Sequence, residues 1–513
     1  MKKVIIAIIC LAVVIGFAFT LSRTTADTQT DTQTTEPTTH TVEEESRSIY
    51  LGYFKNKSFN PYKTDSPTNL SISTLLYDSL FVMQDDWSSK PLLAKEISID
   101  EKQIAVKLVD GAVFSNGASL TAYDVVYSFN LAKKCDHFKG RLSNIAGATA
   151  GADTVTFTFN KPDVYIQQCL TFPVVQNNTG TASLPVGSGR YVLRSINGEY
   201  VLSANPTNTR GEALSTPVIG LTPITAENDE IYRIHTGDLS YYCDTMERGS
   251  YTKLNASDVS FTTNNLIYLG YNSANTNLTN TNVIAAIRYA IDKATLADTV
   301  FDNFCTLTET PFNPKWFALE GVQLPTYEYN LIKAGNLLDE AGITYAKNDN
   351  SYRYDNDGYF DLKLLVNKES PTKVACARFI STCLKNLGVN VTLSSLEFTE
   401  YQTALANGGF DLYIGEVKLS PNMDLSSFFR TGGSTSAGIA SKTVSSAYSD
   451  FKTGSIDINT FIRVFEEEKP FIPLCFRNYI AYYSNEVMYE GTCNENEPFN
   501  NIYTWKTEDK TIQ

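Results

Sequence analysis

Glu416 and Lys418 stand two residues apart near the end of FDLYIGEV, in the run FDLYIGEVKLSPNMDL, residues 410–425. The run opens as a buried strand, because Leu412, Tyr413 and Ile414 are types that pack on a pleated surface. Strand alternation then puts Glu416 and Lys418 on the face that carries Leu412 and Ile414. A face that begins in a core and ends in two opposite charges suits charge recognition in a cleft. The other reading is a strand that runs out into solvent. If the two charges are buried they need partners, each other or a ligand, since an unpaired buried charge is costly.

No other residues are spaced for catalysis. The chain has no HExxH, GxSxG, P-loop or GxGxxG pattern. Its three histidines are His40, His137 and His235, and none lies near a nucleophile pattern. Asp355-Asn356-Asp357-Gly358, in YRYDNDGYF, lacks the spaced acidic series and closing Glu of a calcium loop and reads as a hairpin turn. The Asp85-Asp86 pair lies in a polar turn. Eight cysteines besides Cys10 are scattered without a CxxC, and no Cys/His pair has zinc-like spacing. Most of them read as small buried apolar residues. No enzymatic reaction, resident metal or cofactor is expected.

The elements that must hold the two charges are spread over 513 residues, too many for one ordinary core. A net charge of −14 with no basic run argues against nucleic acid as a partner. The 30 tyrosines and 28 phenylalanines suit a binding surface, because an aromatic ring offers apolar area at little entropic cost. Lys2 and Lys3 precede 18 uncharged residues, Val4 to Leu21, followed by Arg23. This is an export signal that is also long enough to span a bilayer. It is either cleaved after Ala26, where Thr24 is a weak match, or kept as an anchor. Residues 1–23 are therefore read as signal or membrane anchor, and the Thr-rich residues 24–46 as a disordered tether.

Beyond the tether, RSIYLGYF alternates as a strand and NLSISTLLYDSLFVM has a helical pattern. Thr121 with Asp124 resembles a capping box that starts a helix. DTVTFTFN is a strictly alternating strand, and the Asn197-Gly198 turn makes a hairpin. NVIAAIRYAIDKATLADTVF reads as one helix, and LIKAGNLLDEAGI as another that stops at Gly342. From DLKLLVN to FDLYIGEV the order is strand, helix, strand, helix, strand, which implies a largely parallel sheet. IPLCFRNYIAYYS and NNIYTW read as closing strands.

Residues 75–129 resemble the signature region of the family 5 extracytoplasmic solute-binding proteins, the oligopeptide- and dipeptide-binding proteins of ATP-binding-cassette importers. Phe114, Asn116, Gly117, Leu120, Thr121, Ala122, Asp124, Val125, Val126 and Ser128 match its pattern in order. PVGSGRYVL is similar to a further element, with Arg190 where proline is usual. VIAAIRYAIDKATL, AGNLLDEAGI, FISTCLKNLGVNVTL and PFIPLCF resemble later ones, so the likeness runs over roughly 47–505. The signature residues themselves are read as scaffold, turning a hairpin and starting a helix.

The resemblance implies an α/β, two-lobed, periplasmic-binding-protein-like fold of class II, with an extra small α+β domain. Residues 47–62, 185–265 and 475–513 would form the first lobe, 63–184 the extra domain and 266–474 the second lobe. The chain would cross between lobes near Leu266–Tyr271 and Phe471–Phe476. It would be a monomeric receptor on the outer face of the cytoplasmic membrane, anchored or secreted, that delivers a peptide or other small solute to importer permease subunits. The alternative is a membrane-anchored sensor or scaffold that keeps the fold. Peptide-binding relatives carry a "gW…D…DP" stretch after the strand, with an Asp for the ligand's amino terminus. Here Glu416 follows Gly415, and the Asp position falls near Leu419–Ser420. Glu416 and Lys418 are the leading candidates to line the cleft, with Asp424 and Arg430 behind them, and a cationic or hydroxyl-rich ligand group is expected opposite Glu416. Cell fractionation should recover the protein outside the cytoplasm, and recovery in the cytosolic fraction would contradict the export signal.

Overall fold

In chain order the strands used below are β1 (Tyr50–Phe54), β2 (Ala94–Ile99), β3 (Gln103–Leu108), β4 (Ile145–Ala150), β5 (Thr154–Phe159), β6 (Tyr191–Ile196), β7 (Glu199–Ala204), β8 (Val218–Ile224), β9 (Tyr241–Asp244), β10 (Ser257–Tyr271), β11 (Cys305–Leu307), β12 (Asp361–Asn367), β13 (Asn390–Leu396), β14 (Leu412–Lys418) and β15 (Ile472–Tyr483). The helices are α1 (Pro67–Leu76), α2 (Ala122–Ala132), α3 (Thr281–Ala290), α4 (Lys293–Phe301), α5 (Leu331–Glu340), α6 (Pro371–Asn386), α7 (Phe398–Ala406), α8 (Lys442–Lys452) and α9 (Ile458–Glu468). The computed structural model describes residues 48–507, apart from 209, 212, 247–250, 347–348, 431–434, 440 and 490–492. The signal, 1–23, and the tether, 24–46, lie outside the described residues. Among those described, no helix is long and apolar enough to cross a membrane.

One eleven-stranded sheet runs through the molecule in the order β13-β12-β14-β10-β15-β9-β1-β8-β7-β6, with β11 added on β15. β12 pairs in parallel with β13 and with the start of β14, as the alternating pattern requires. At the other end β1 is parallel to β8, and β6–β7 is a hairpin turned by Asn197 and Gly198, both with positive φ. Two long strands, β10 and β15, join the two ends. Their antiparallel pairing shifts register between Thr262 and Leu266, opposite Asn478 and Phe476. The irregular backbone there is satisfied by side chains: Thr263 Oγ1 donates to Arg477 O, and Asn313 Nδ2 donates to Thr263 O. A second shift follows between Ile267 and Tyr268, inside the Leu266–Tyr271 stretch expected to cross.

Both faces of the β12–β14 end are covered. Leu364, Val366, Leu412 and Ile414 pack under Cys376, Ile380 and Leu384 of α6. Leu365, Tyr413 and Tyr268 pack on the other face with Tyr401 of α7, Phe451 of α8 and Phe465 of α9. Two glycines make room for two rings across β10 and β14. A Cβ on Gly270 would meet the Tyr413 ring at 2.2 Å, and one on Gly415 would meet the Tyr268 ring at 2.2 Å. A separate four-stranded sheet, β2-β3-β5-β4, packs Val106 and Phe157 on Val125 and Phe129 of α2.

The signature residues do structural work. Thr121 N and Oγ1 donate to Asp124 Oδ2 at 2.8 and 2.6 Å, and Asp124 Oδ1 accepts from Asn177 N. Ser128 Oγ accepts from Val175 N, so α2 is pinned to the 175–177 segment. Three expected elements differ. The helix expected over 69–83 ends at Leu76, where Leu76 O accepts from Gly189 N and Asp78 is drawn into a buried pair with Arg210. The helix expected over 282–301 is two helices, because Asp292 caps the second through Thr295 N. NNIYTW holds a short 3₁₀ turn, Ile502–Thr504, in place of a strand. Replacing Gly415 with Ala should push the Tyr268 ring aside and lower stability by about 1–3 kcal/mol. Equal urea midpoints for the variant and the parent would contradict this packing.

Candidate functional site

Glu416 leaves β14 on the face of Leu412 and Ile414, and its carboxylate is gripped by two cations. Arg477 Nε and Nη2 lie 3.0 and 3.3 Å from its two oxygens, and Lys373 Nζ lies 3.0 Å from Oε2. Arg477 projects from β15 and Lys373 from the first turn of α6. Since β10 lies between β14 and β15, the Glu416–Arg477 pair bridges over β10 beside the register break. Burial alone would raise the Glu416 carboxyl, but Arg477 and Lys373 outweigh it and hold the carboxyl below its ordinary value of 4.5. Burial pulls the Arg477 guanidinium down, and Glu416 more than reverses this, so Arg477 stays charged. The trio carries one net positive charge. It offers no free negative charge to the cationic ligand group expected from the sequence. Arg477 and Thr372 also line a small cavity with Phe301, Asp302 and Met246.

Lys418 is exposed and pairs at 3.2 Å with Glu495, whose side chain is buried. Glu416 and Lys418 share a strand face without pairing with each other. Asp424 accepts from Ser426 N and Oγ and from Tyr448 Oη, so its carboxylate organises the turn after β14. Arg430 is exposed at the end of the short helix Ser426–Phe429, next to residues outside the description. Leu419, near the missing Asp position, is buried in the core of the α8–α9 face.

The backbone of β14 is a second feature of the site. Leu419 N donates to Asn264 O, which turns the odd-numbered peptide groups at this end of β14 toward β10. The even-numbered ones face the opposite edge. There β12 pairs only as far as Tyr413, and Tyr401 Oη donates to Ile414 O. No described strand pairs with the edge that Glu416 and Lys418 present.

A seam borders this edge, where the β2–β5 sheet and its following turn meet the β12–β14 end. Tyr165 sits 4.8 Å from Trp316 and 5.6 Å from Phe451, ring to ring. Asp163 pairs with Lys452 at 2.8 Å and accepts from Asn422 Nδ2. Buried side-chain atoms with no protein partner include Asn264 Nδ2, Trp316 Nε1, Asn422 Oδ1 and Gln168 Oε1, all near this seam or the register break. Such groups are normally completed by water or by ligand. Among the described residues, no group of three or more His, Cys, Asp or Glu could hold a metal ion.

Sequence reasoning singled out Glu416, Lys418, Asp424 and Arg430, and did not find Lys373, Arg477, Asp163, Lys452 or Glu495. Arg477 was the most accessible of these, as a lone charge inside the apolar run IPLCFRNYIAYY.

A sheet shared by two ends, joined by two crossing strands and carrying a separate small domain, is the architecture of a class II periplasmic binding protein. The chain belongs to the bacterial extracellular solute-binding proteins, family 5, whose middle region matches over residues 88–438. It is 23% identical to the oligopeptide-binding protein AppA of Bacillus subtilis, over 66% of this chain and 67% of that one. It is 24% identical to the periplasmic oligopeptide-binding protein OppA of Salmonella typhimurium, over 69% and 72%. Among solved structures, NikA from Brucella suis in complex with Fe(III)-EDTA superposes with a TM-score of 0.70 at 19% identity, covering 90% of this chain and 100% of that one. The unliganded open form of the murein tripeptide-binding protein MppA gives 0.74 at 18% identity, over 90% and 98%.

Replacing Glu416 with Gln leaves Arg477 buried without its counter-charge and should destabilise the fold by about 1–3 kcal/mol at neutral pH. Because the folded carboxyl sits below 4.5, this contribution is present above that pH and is lost as pH falls through the lower folded value. Urea unfolding from pH 7 to pH 3 should show the gap between parent and variant closing in acid. A gap that stays constant or widens would contradict the assignment.

Proposed function

We propose that this protein is an extracytoplasmic receptor that captures an oligopeptide between its two lobes and delivers it to the permease of an ATP-binding-cassette importer. The first lobe comprises residues 47–62, 185–265 and 475–513, the extra domain 63–184 and the second lobe 266–474. The chain acts as a monomer, held at the outer face of the membrane through its N-terminal segment, and it catalyses no reaction. The observation that carries the peptide reading is the open edge of β14 at Glu416 and Lys418. An extended peptide can add there as a further strand, taking affinity from main-chain hydrogen bonds. Family membership and the names of relatives such as AppA and OppA point the same way.

The electrostatics refine the ligand. By the family resemblance, Leu419–Ser420 stand near the position of the Asp that would take an amino terminus, and the Lys373–Glu416–Arg477 trio is net positive. A peptide with an acidic group near the edge of β14 fits better than one whose cationic end must be neutralised there. Thermal unfolding with defined pools of acidic, neutral and basic hexapeptides, and with an oligosaccharide pool, tests this. At 100 times its dissociation constant a ligand adds about 2.7 kcal/mol, so the acidic peptide pool should raise the melting temperature most. A shift with oligosaccharides alone would overturn the peptide reading.

A further inference from the structure

Asp163 and Lys452 lie 289 positions apart in the chain, in the extra domain and the second lobe, yet they form a buried pair satisfied by protein groups. Asp163 Oδ1 accepts from Lys452 Nζ at 2.8 Å and from Tyr165 N at 2.9 Å, and Oδ2 accepts from Asn422 Nδ2 at 2.7 Å. Lys452 Nζ donates in addition to Asn422 O at 2.9 Å and lies over the Tyr165 ring. Their side chains are 3% and 9% exposed. Val164 N donates to Lys452 O, and Tyr165 fills a socket of Trp316 and Phe451. Each charge meets its counter-charge and further protein groups, so neither needs a ligand to be satisfied.

They do join parts of the chain that a hinge would separate. The extra domain is fixed to the first lobe: Asp78 pairs with Arg210, and Leu76 O accepts from Gly189 N. Rotation at the Thr262–Leu266 break would carry the turn at 163–169 away from Asn422 and Lys452, and each charge would then have to be resolvated or left unpaired. From this arrangement we infer that Asp163 and Lys452 are positioning residues for solute capture: an internal fastener that sets the balance between open and closed cleft without touching the solute. The inference rests on the receptor reading for its consequence. Apparent affinity scales with the fraction of molecules in the binding-competent state, so loosening the fastener weakens capture through that fraction.

Hydrogen exchange on the full chain with no solute added tests the fastener by itself. In Asp163→Asn and in Lys452→Met, amides of Val164–Leu170 and of Leu419–Leu425 should exchange at least about tenfold faster, together, while Val155–Phe157 and Ile380–Leu384 keep their protection. Faster exchange in one segment alone, or in neither, overturns the inference. Should Asp163→Asn also loosen Val155–Phe157, Lys452→Met decides, since its change lies in the other lobe. The double variant, which leaves no unpaired charge, should be more protected than Lys452→Met alone, and a double variant as loose as the sum of the two overturns the ion-pair assignment. The acidic hexapeptide pool distinguishes the two levels. Coordinated loosening with no peptide-induced thermal shift in the parent keeps the fastener and removes the peptide reading. A peptide shift of equal midpoint concentration in parent and Lys452→Met removes the fastener's role in capture.

Discussion

The architecture depends on the pairing of two long strands, Ser257–Tyr271 and Ile472–Tyr483, that belong to both ends of one sheet. Continuous pairing makes the two ends one hydrogen-bonded body. The register shifts at Thr262–Leu266 and at Ile267–Tyr268 leave a short stretch where the ladder is already interrupted and bending would break the fewest bonds. The backbone there is held by Thr263 and Asn313 side chains, which can exchange partners more readily than a ladder can. Arg477 belongs to the same stretch, and its grip on Glu416 across β10 ties the bend to the end of β14. Lys293, buried against Pro473 O, anchors the crossing strand to the helix layer, and burial pulls its ammonium down to about 8.

Scaffold and recognition use different residues. Asp124, Ser128 and Thr121 are spent on pinning α2 to the backbone at 175–177. The open edge of β14, and the Asn264, Trp316, Asn422 and Gln168 side-chain atoms that have no protein partner, are not used in that scaffold. Under the proposed receptor function, such atoms would bond a ligand directly or through water, and the net charge of the trio at Glu416 would bear on which ligand groups fit nearby.

Much of the fold was legible in the sequence because its signals are local. The Thr121–Asp124 cap, the Asn197-Gly198 turn and the strand–helix alternation from Asp361 to Lys418 act within a few residues, and the signature region is written in one continuous stretch. One miss has a local cause and another a distant one. Asp292, read as part of one continuous helix, acts as a cap, and the helix ending at Leu76 is cut short by backbone approach from Gly189, far along the chain. The site was legible only in part. Alternation placed Glu416 on the correct face, yet its partners Lys373 and Arg477, and the Asp163–Lys452 pair, are brought together by topology and leave no spacing to read. A charge within an apolar run, as at Arg477, is the one local mark such partners leave.

Native mass spectrometry of the protein, released from its own cells under non-denaturing conditions, measures the central claim most directly. The account predicts a one-to-one adduct that is lost on unfolding and fragments as a linear peptide. A protein that carries no adduct from its cells and acquires none from a peptide digest of the same cells would contradict it.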